Sequence, residues 1–471
     1  MSFGFRAASL WLLFAVTTAS RLPHGVLKSS TPSDKAQLAT VPAELRLTFS
    51  ETPELALARI VLRDSIGVRV GLGPLTVTGN DKATIIAPVT GRFAAGNYTV
   101  EWEVAGPDGH PVRGKFTFGV LPEAIVAVAL SPGIETGRRP ADTMAAHHDT
   151  LDMPRSATRF DAESGGFIAV RFFLYAAMLV VIGAVAFKVL VLGLFRRHAG
   201  ADREFLADVE RRLATIGLVA ASLLLVTCVA RLGAQALALN GFDGLTSSAI
   251  GVLVTQTRWG ISWSAQFGAT AFALLGFAMA RRSARPNTGW SIASVAAIVV
   301  AFTPAFASHA AALQRLRPLA LLLDGLHVIA AAGWLGSLLA LLAAGVPAAL
   351  ALREERRGGA VADLVNAFSP TALGFAALAG VTGLFAAWVH VGGFAPLWED
   401  KYGKLLLGKL AVLFVLMLIG AYNWRRLKPV LGTVESAGRM QVSARTEVLV
   451  GVIVVVITAI LVATPTPMDT V

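Results

Sequence analysis

The chain has 471 residues, of which 55% are hydrophobic and 15% charged, and its mean hydropathy is +0.64. This composition excludes an ordinary soluble protein and is typical of a membrane protein with a soluble part. The formal net charge of +11 would suit nucleic acid, but basic residues in membrane proteins usually set orientation, so we expect no nucleic-acid partner. The single cysteine, Cys228, excludes an intramolecular disulfide and a cysteine-based metal cage.

Residues 1–20 combine an early arginine, a short apolar core and a small-residue end. This pattern is typical of a secretory signal peptide, and its apolar core is too short to span a membrane comfortably. We therefore expect the residues that follow to be exported.

Residues 24–120 form short segments with alternating hydrophobicity, separated by turn signals. The strongest candidates for strands are 44–50, 59–63, 84–88, 97–104 and 115–120. Period-two patterning with β-branched and aromatic residues predicts a compact β-sandwich or barrel. Residues 121–163 are rich in proline, glycine and acidic residues without periodicity, which predicts a linker.

Residues 167–464 are almost entirely apolar and predict a polytopic membrane domain. Eight segments are long enough to cross a bilayer: 167–190, 212–232, 258–280, 289–310, 318–343, 366–390, 403–424 and 446–464. Basic residues concentrate in alternate loops, at 188–212, 281–285, 353–357 and 425–445, whereas the intervening loops hold only Arg315, Arg317 and Lys401. The bias predicts that these four loops face the cytoplasm and that the β-domain lies outside.

Three histidines and one aspartate fall in the outer half of this predicted bundle. His309 ends the fourth segment and His390 ends the sixth. The fifth segment runs inward from about residue 318, so Asp324 lies roughly 9 Å and His327 roughly 14 Å below its outer end. Ionisable groups at membrane depth normally face a bundle interior, a partner or a water-filled path.

Asp324 and His327 are three residues apart and therefore share one helix face. Imidazole suits copper, zinc and iron, and a nearby carboxylate can bind the metal or orient the ring. We interpret the four residues as a metal path, with His309 and His390 at its rim and Asp324 with His327 deeper. The alternative is that Asp324 and His327 make structural hydrogen bonds to other helices and that the other two histidines are interfacial.

Two short motifs in the β-domain carry potential metal ligands: His24, and the turn Asp108-Gly109-His110-Pro111. Two imidazoles and a carboxylate brought together could make the square-planar nitrogen and oxygen site that copper(II) prefers. Taken alone, the second motif is better explained as a turn.

Longer segments resemble known proteins. HGVLKSSTPSDKAQLATVPAELRLTFSE and YTVEWEVAGPDGHPVRGKFTFGV resemble the copper-resistance C-type periplasmic copper carriers. DGLHVIAAAGWLGSL, FSPTALGFAALAGVTGLFAAW and YGKLLLGKLAVLFVLMLIGAYNWRRL resemble their D-type inner-membrane partner. The chain is thus similar to a fusion of the two.

The resemblance implies a Greek-key β-sandwich that binds copper(II), followed by an eight-helix domain that moves copper inward across the bacterial inner membrane. By motif position it implies His24, Asp108 and His110 as copper(II) ligands, with Glu51 close to the site. No methionine occurs between His24 and Val120, so we expect no methionine-rich copper(I) site in this domain. Expected partners are copper ions, the lipid bilayer and other periplasmic copper carriers.

One departure from the family concerns the start of the mature chain. In the family the ligand histidine is the first mature residue, whereas here Arg21, Leu22 and Pro23 precede His24. We expect transport rather than catalysis, because no nucleophile and base pair, nucleotide loop or paired-carboxylate motif is apparent. Two other functions stay open: a haem b redox protein using His309 and His390, and a copper buffer or sensor that does not transport.

Overall fold

The computed structural model describes residues 27–79, 81–106, 109, 111–124, 160, 163–198, 203–241, 244–282, 285–306, 316–391, 393–464 and 466. The predicted signal peptide and most of the predicted linker lie outside the described residues. So do four predicted site residues: His24, Asp108, His110 and His309.

The N-terminal region is a sandwich of two β-sheets, which confirms the predicted fold class. One sheet has the order β1-β3-β7-β6 and the other the order β2-β9-β8-β4-β5. The strands are β1 (Leu27–Thr31), β2 (Ala36–Leu38), β3 (Glu44–Phe49), β4 (Arg59–Arg63), β5 (Arg69–Val70), β6 (Thr76–Val77), β7 (Thr84–Pro88), β8 (Gly96–Ala105) and β9 (Pro111–Val120).

Alternate side chains of the two sheets meet in one apolar core. Leu45, Leu47 and Phe49 of β3 point inward, as period-two patterning requires. The Trp102 ring of β8 packs edge-on against Phe49, with ring centroids 5.3 Å apart. The longest ladder pairs β8 with β9 antiparallel, ending at Ala105 opposite Pro111. The predicted copper loop is therefore the turn at the end of this hairpin.

Eight helices are long and apolar enough to cross a membrane, as the sequence predicts. They are α1 (Gly165–Arg197), α2 (Arg203–Asn240), α3 (Arg258–Arg282), α4 (Pro286–Phe306), α5 (Arg317–Leu350), α6 (Glu354–Val391), α7 (Lys401–Val430) and α8 (Glu435–Leu461). Short helices at Ser247–Gln256 and Pro396–Glu399 lie in the α2–α3 and α6–α7 connections. Several helices extend well beyond the apolar segments; α8 begins at Glu435 rather than near residue 446.

Helices α1 and α5 cross with their backbones in contact. A Cβ atom at Gly336 would lie 2.1 Å from the Leu179 carbonyl oxygen, and one at Gly183 would lie 2.3 Å from the Gly336 carbonyl carbon. Only glycine fits such an approach. Gly336 also ends a π-helical turn, Ala332–Gly336, in the middle of α5. Such turns are frequent at functional sites.

Candidate functional site

The predicted deep station of the metal path is centred on His327 of α5. Its Nδ1 lies 3.0 Å from the Thr382 hydroxyl of α6, and that hydroxyl donates to the Leu378 carbonyl at 2.7 Å. Because the hydroxyl proton is used in this way, we assign the Nδ1 proton to the bond between His327 and Thr382. Nε2 is then the lone pair that a metal ion could bind.

The surroundings of His327 combine close packing with opposite charges. Thr382 is 1% exposed, and a Cβ at Gly383 would lie 3.2 Å from the ring, so glycine leaves room for the imidazole. Lys409 of α7 is near enough to act electrostatically on the ring, and this ammonium would oppose a cation there. Asp324 lies half-buried three residues before His327 on the same helix.

His390 lies in the last turn of α6, the end of the helix where it was predicted. Its Nδ1 donates to the Ala386 carbonyl at 2.8 Å, and its ring centroid is 6.4 Å from that of Tyr402. Eight residues of helix separate His390 from Thr382, which is roughly 12 Å of depth. His390 and His327 are therefore separate stations that cannot bind one ion together, and they cannot serve as the two axial ligands of one haem.

The sandwich rests on the bundle through the predicted copper loop. Gly109, which lies between Asp108 and His110 in sequence, has a φ of 81°, and its carbonyl accepts a 2.8 Å hydrogen bond from Gln235 of α2. A Cβ at Gly109 would lie 2.9 Å from the Trp259 ring of α3. The hairpin tip thus fits closely against the C-terminal end of α2 and the N-terminal end of α3.

Further contacts surround this loop. The Glu54 carboxylate accepts from the Arg258 backbone N–H at 3.1 Å, and Arg59 donates to Asn240 at 3.0 Å. An apolar cluster joins the two domains: Ala105, Ala236, Leu239, Leu253 and Trp259. The Glu54 N–H also bonds the Ala105 carbonyl at 2.8 Å. This bond holds the chain segment that contains Glu51 beside the end of β8, next to the predicted copper loop.

The membrane interior directly below the loop carries a positive charge. Arg231 of α2 stacks over Trp259 at 5.2 Å and donates to Gln266 at 2.8 Å. Gln266, fully buried, contacts the Met178 sulfur at 3.4 Å. A cation is repelled from this side of the bundle, whereas α5 carries Asp324 and α8 carries the buried Glu447.

The docking contact of Glu54 predicts a pH dependence. Burial raises the pKa of Glu54 above its usual value, and Arg258 only partly opposes this shift. The docked form therefore holds the proton to higher pH. We expect docking to be strongest at a pH below about 4.3, the usual glutamate pKa. It weakens as the pH rises through the raised pKa of Glu54 in the docked form.

The pH dependence of docking can be measured by pulsed electron paramagnetic resonance. Spin labels at Ser29→Cys and Ser247→Cys, both exposed positions, report the distance between the β-domain and the bundle. We expect the short, docked distance to lose population as the pH rises, and Glu54→Gln to flatten that dependence. An unchanged pH profile in Glu54→Gln would assign the effect to another group. The native thiol, Cys228, is buried.

Four polar residues at these sites were not identified from the sequence: Gln235, Thr382, Lys409 and Glu447. Lys409 lies inside a predicted span, so its charge at membrane depth was the available signal. Glu447 is the second residue of the predicted last span, 446–464, so its charge was the same kind of signal. Gln235 and Thr382 carry no charge, and their importance follows only from what they contact.

Among the described residues, no group of three or more histidine, cysteine, aspartate or glutamate side chains converges on one point.

Family models match three parts of the chain. They are the CopC domain at residues 27–121, the copper resistance protein D-like N-terminal domain at 161–316, and copper resistance protein D at 362–461.

Individual proteins are similar over different lengths. The copper transport protein CutJ of Bacillus subtilis is 23% identical over 97% of this chain and 77% of its own length. Copper resistance protein C of Escherichia coli is 30% identical over 21% of this chain and 84% of its own. The crystal structure of CopC from Methylosinus trichosporium OB3b is 31% identical, covering 21% of this chain and 94% of that one, with a TM-score of 0.20.

Proposed function

Since the chain belongs to the copper resistance proteins and joins a CopC domain to a copper resistance protein D membrane domain, we propose that it imports copper across the bacterial inner membrane. In this proposal the β-domain lies in the periplasm and captures copper(II) with His24, Asp108 and His110, with Glu51 nearby. The bundle then passes the ion inward. The copper is cargo, and the chain performs no catalysis.

The observation that carries the proposal is the docked hairpin tip. Gly109 separates two predicted ligands and bonds to Gln235 of the bundle at 2.8 Å. Copper held by this loop would be released at the membrane surface, without diffusion of a loaded carrier. The positive charge of Arg231 beneath the loop favours transfer sideways, toward the helices that carry histidine and carboxylate groups.

Inside the bundle we propose the order His390 and then Asp324 with His327. The rim histidine lies roughly 12 Å outward of the deeper one, so the ion moves between them rather than being shared. His309 is proposed as a second rim residue from its place in the sequence. The assigned Nδ1 proton of His327 leaves Nε2 for the ion, and Thr382 holds the ring in that orientation.

Copper accumulation in cells tests the capture step. At matched protein levels, we expect His110→Ala to shift the external copper concentration for half-maximal accumulation upward by about tenfold, the effect of losing about 1.4 kcal/mol of binding. The maximal accumulation stays that of the wild type, because the bundle is unchanged. His147→Ala, which removes a histidine from the predicted linker, is the matched control. Coincident curves for His110→Ala and the wild type would refute capture by this loop.

A further inference from the structure

Glu447 is a buried carboxyl group that the proposed path does not use. It lies on α8, twelve residues after Glu435, which is roughly 18 Å into the helix. Only 6% of the residue is exposed. An ionisable group buried to this extent in a membrane domain is costly to keep and normally has a partner or a function.

Neutral polar side chains surround this carboxyl group. Asn423 of α7 donates its Nδ2 hydrogen to Glu447 at 2.9 Å, and Ser443 donates to the Asn423 carbonyl oxygen at 2.5 Å. The Trp334 indole of α5 also hydrogen-bonds to the carboxyl group. The site thus joins α5, α7 and α8 and fixes the position of Glu447.

No cation neutralises Glu447 within the part of the chain that the structure describes. Lys409 on α7 is fourteen residues from Asn423, or roughly 21 Å along the helix. Lys188 on α1 pairs with Glu210 at 2.5 Å. The basic residues nearest to Glu447 in sequence or beside its partner Asn423 are Arg445, Arg425 and Arg426; their side chains are exposed and form no ion pair with it.

Glu447 lies farther inward than His327. Its partner Trp334 is seven residues beyond His327 on α5, which is roughly 10 Å deeper. An ion that leaves His327 toward the cytoplasm therefore meets Glu447 next. Two hydrogen bonds do not offset the cost of burying an unpaired carboxylate, so the group needs a proton or a cation.

We propose that Glu447 binds a proton at rest and exchanges it for the copper ion on its way inward, so that transport is a copper and proton exchange. The inference rests on the proposed function and supplies its coupling ion. In each cycle one proton leaves the carboxyl group as the cation arrives, and one proton returns when the ion departs. Asn423 and Trp334 keep the carboxyl group in place through both states.

A structural role is the competing explanation, in which Glu447 only bonds α7 to α8. Glu447→Gln separates the two roles, because the amide keeps an oxygen that accepts from Asn423 but cannot bind and release a proton. Glu435→Gln is the matched control: it makes the same change on the same helix, at an exposed position paired with Arg439.

The test uses purified full-length protein in liposomes, with copper(II) outside and, in parallel, copper(I) kept reduced by ascorbate. The membrane potential is clamped, and a pH gradient of one unit is imposed in either direction. With one proton exchanged per ion, we expect acid inside the vesicle to raise the steady-state copper ratio about tenfold. Glu447→Gln should lose this dependence, and Glu435→Gln should keep it.

The results distinguish the inference from the function on which it rests. Exchange at Glu447 would be overturned if the wild-type copper ratio did not depend on the pH gradient. It would also be overturned if the copper ratio with Glu447→Gln still depended on that gradient. Either result would leave the transport function intact. Uptake no greater than that of empty liposomes would reject the transport function itself.

Proton release in detergent tests Glu447 without transport. On adding copper to weakly buffered protein, we expect Glu447→Gln to release about one proton fewer than Glu435→Gln. Equal release would overturn the inference. If Glu447→Gln does not elute from size exclusion as a single species, Glu447→Asp replaces it in the comparison. This variant keeps a carboxylic acid and should release as many protons as Glu435→Gln.

Discussion

Replacing His327 with alanine is expected to abolish copper accumulation at every external copper concentration. Among the described residues no second imidazole lies at the proposed deep station, since His390 is roughly 12 Å away along the helix axis. Without Nε2, an ion there would face the Lys409 ammonium with only Asp324 to hold it. Cellular copper should fall at least tenfold, to the level of cells without the protein. Additional copper should not restore it, in contrast to His110→Ala.

The control for this variant is Thr382→Val, which keeps the side-chain shape but removes the hydroxyl that orients the ring. Loss of such a supporting group typically lowers metal affinity 10–100-fold, so we expect partial accumulation that recovers with more copper. Wild-type accumulation by His327→Ala would make the histidine structural and the proposed path wrong. Size-exclusion profiles of both variants establish that they fold.

Valine at Gly109 is expected to separate the β-domain from the bundle. The new side chain would begin 2.9 Å from the Trp259 ring and 3.1 Å from the Gln235 amide, so the hairpin tip could not seat. We expect the population with the short Ser29→Cys to Ser247→Cys distance to fall about tenfold. Copper accumulation should then require more external copper, because capture and delivery no longer occur at one place.

Gly67→Val is a matched control for backbone strain. Gly67 has a φ of 86°, close to that of Gly109, but a Cβ there meets no atom within 4 Å. Both substitutions carry the cost of a left-handed β-branched residue, and only one disturbs the interface. The copper(II) electron paramagnetic resonance spectrum reports whether Gly109→Val still binds the metal. A docked population equal to that of Gly67→Val would show that the loop does not hold the domains together.

The fold was largely predictable because it depends on periodicity. Period two in segments such as 44–50 and 59–63 reappears as β3 and β4, and the eight apolar segments reappear as eight helices. His390 at the end of α6 and His327 inside α5 followed from the same counting. These features depend on local sequence, where the alternation of side chains is strongest.

What could not be predicted depends on contacts between distant segments. Gln235 and Gly109 are 126 residues apart, and no pattern in either segment indicates that they meet. Glu447 falls at the very start of the predicted span because α8 begins with a polar stretch, from Glu435, that a hydropathy window does not include. The assignment of the His327 proton required the Thr382 hydroxyl, a partner 55 residues away.

Among the residues that the structure describes, three hydrogen bonds and a cluster of five buried apolar residues join the two domains. Between two separate proteins, such a surface would be occupied only at high concentration. Within one chain the β-domain meets the bundle at an effective concentration in the millimolar range. Fusion therefore lets a weak contact be occupied most of the time and still open quickly. A free copy of the same β-domain at micromolar concentration would compete poorly with the tethered one.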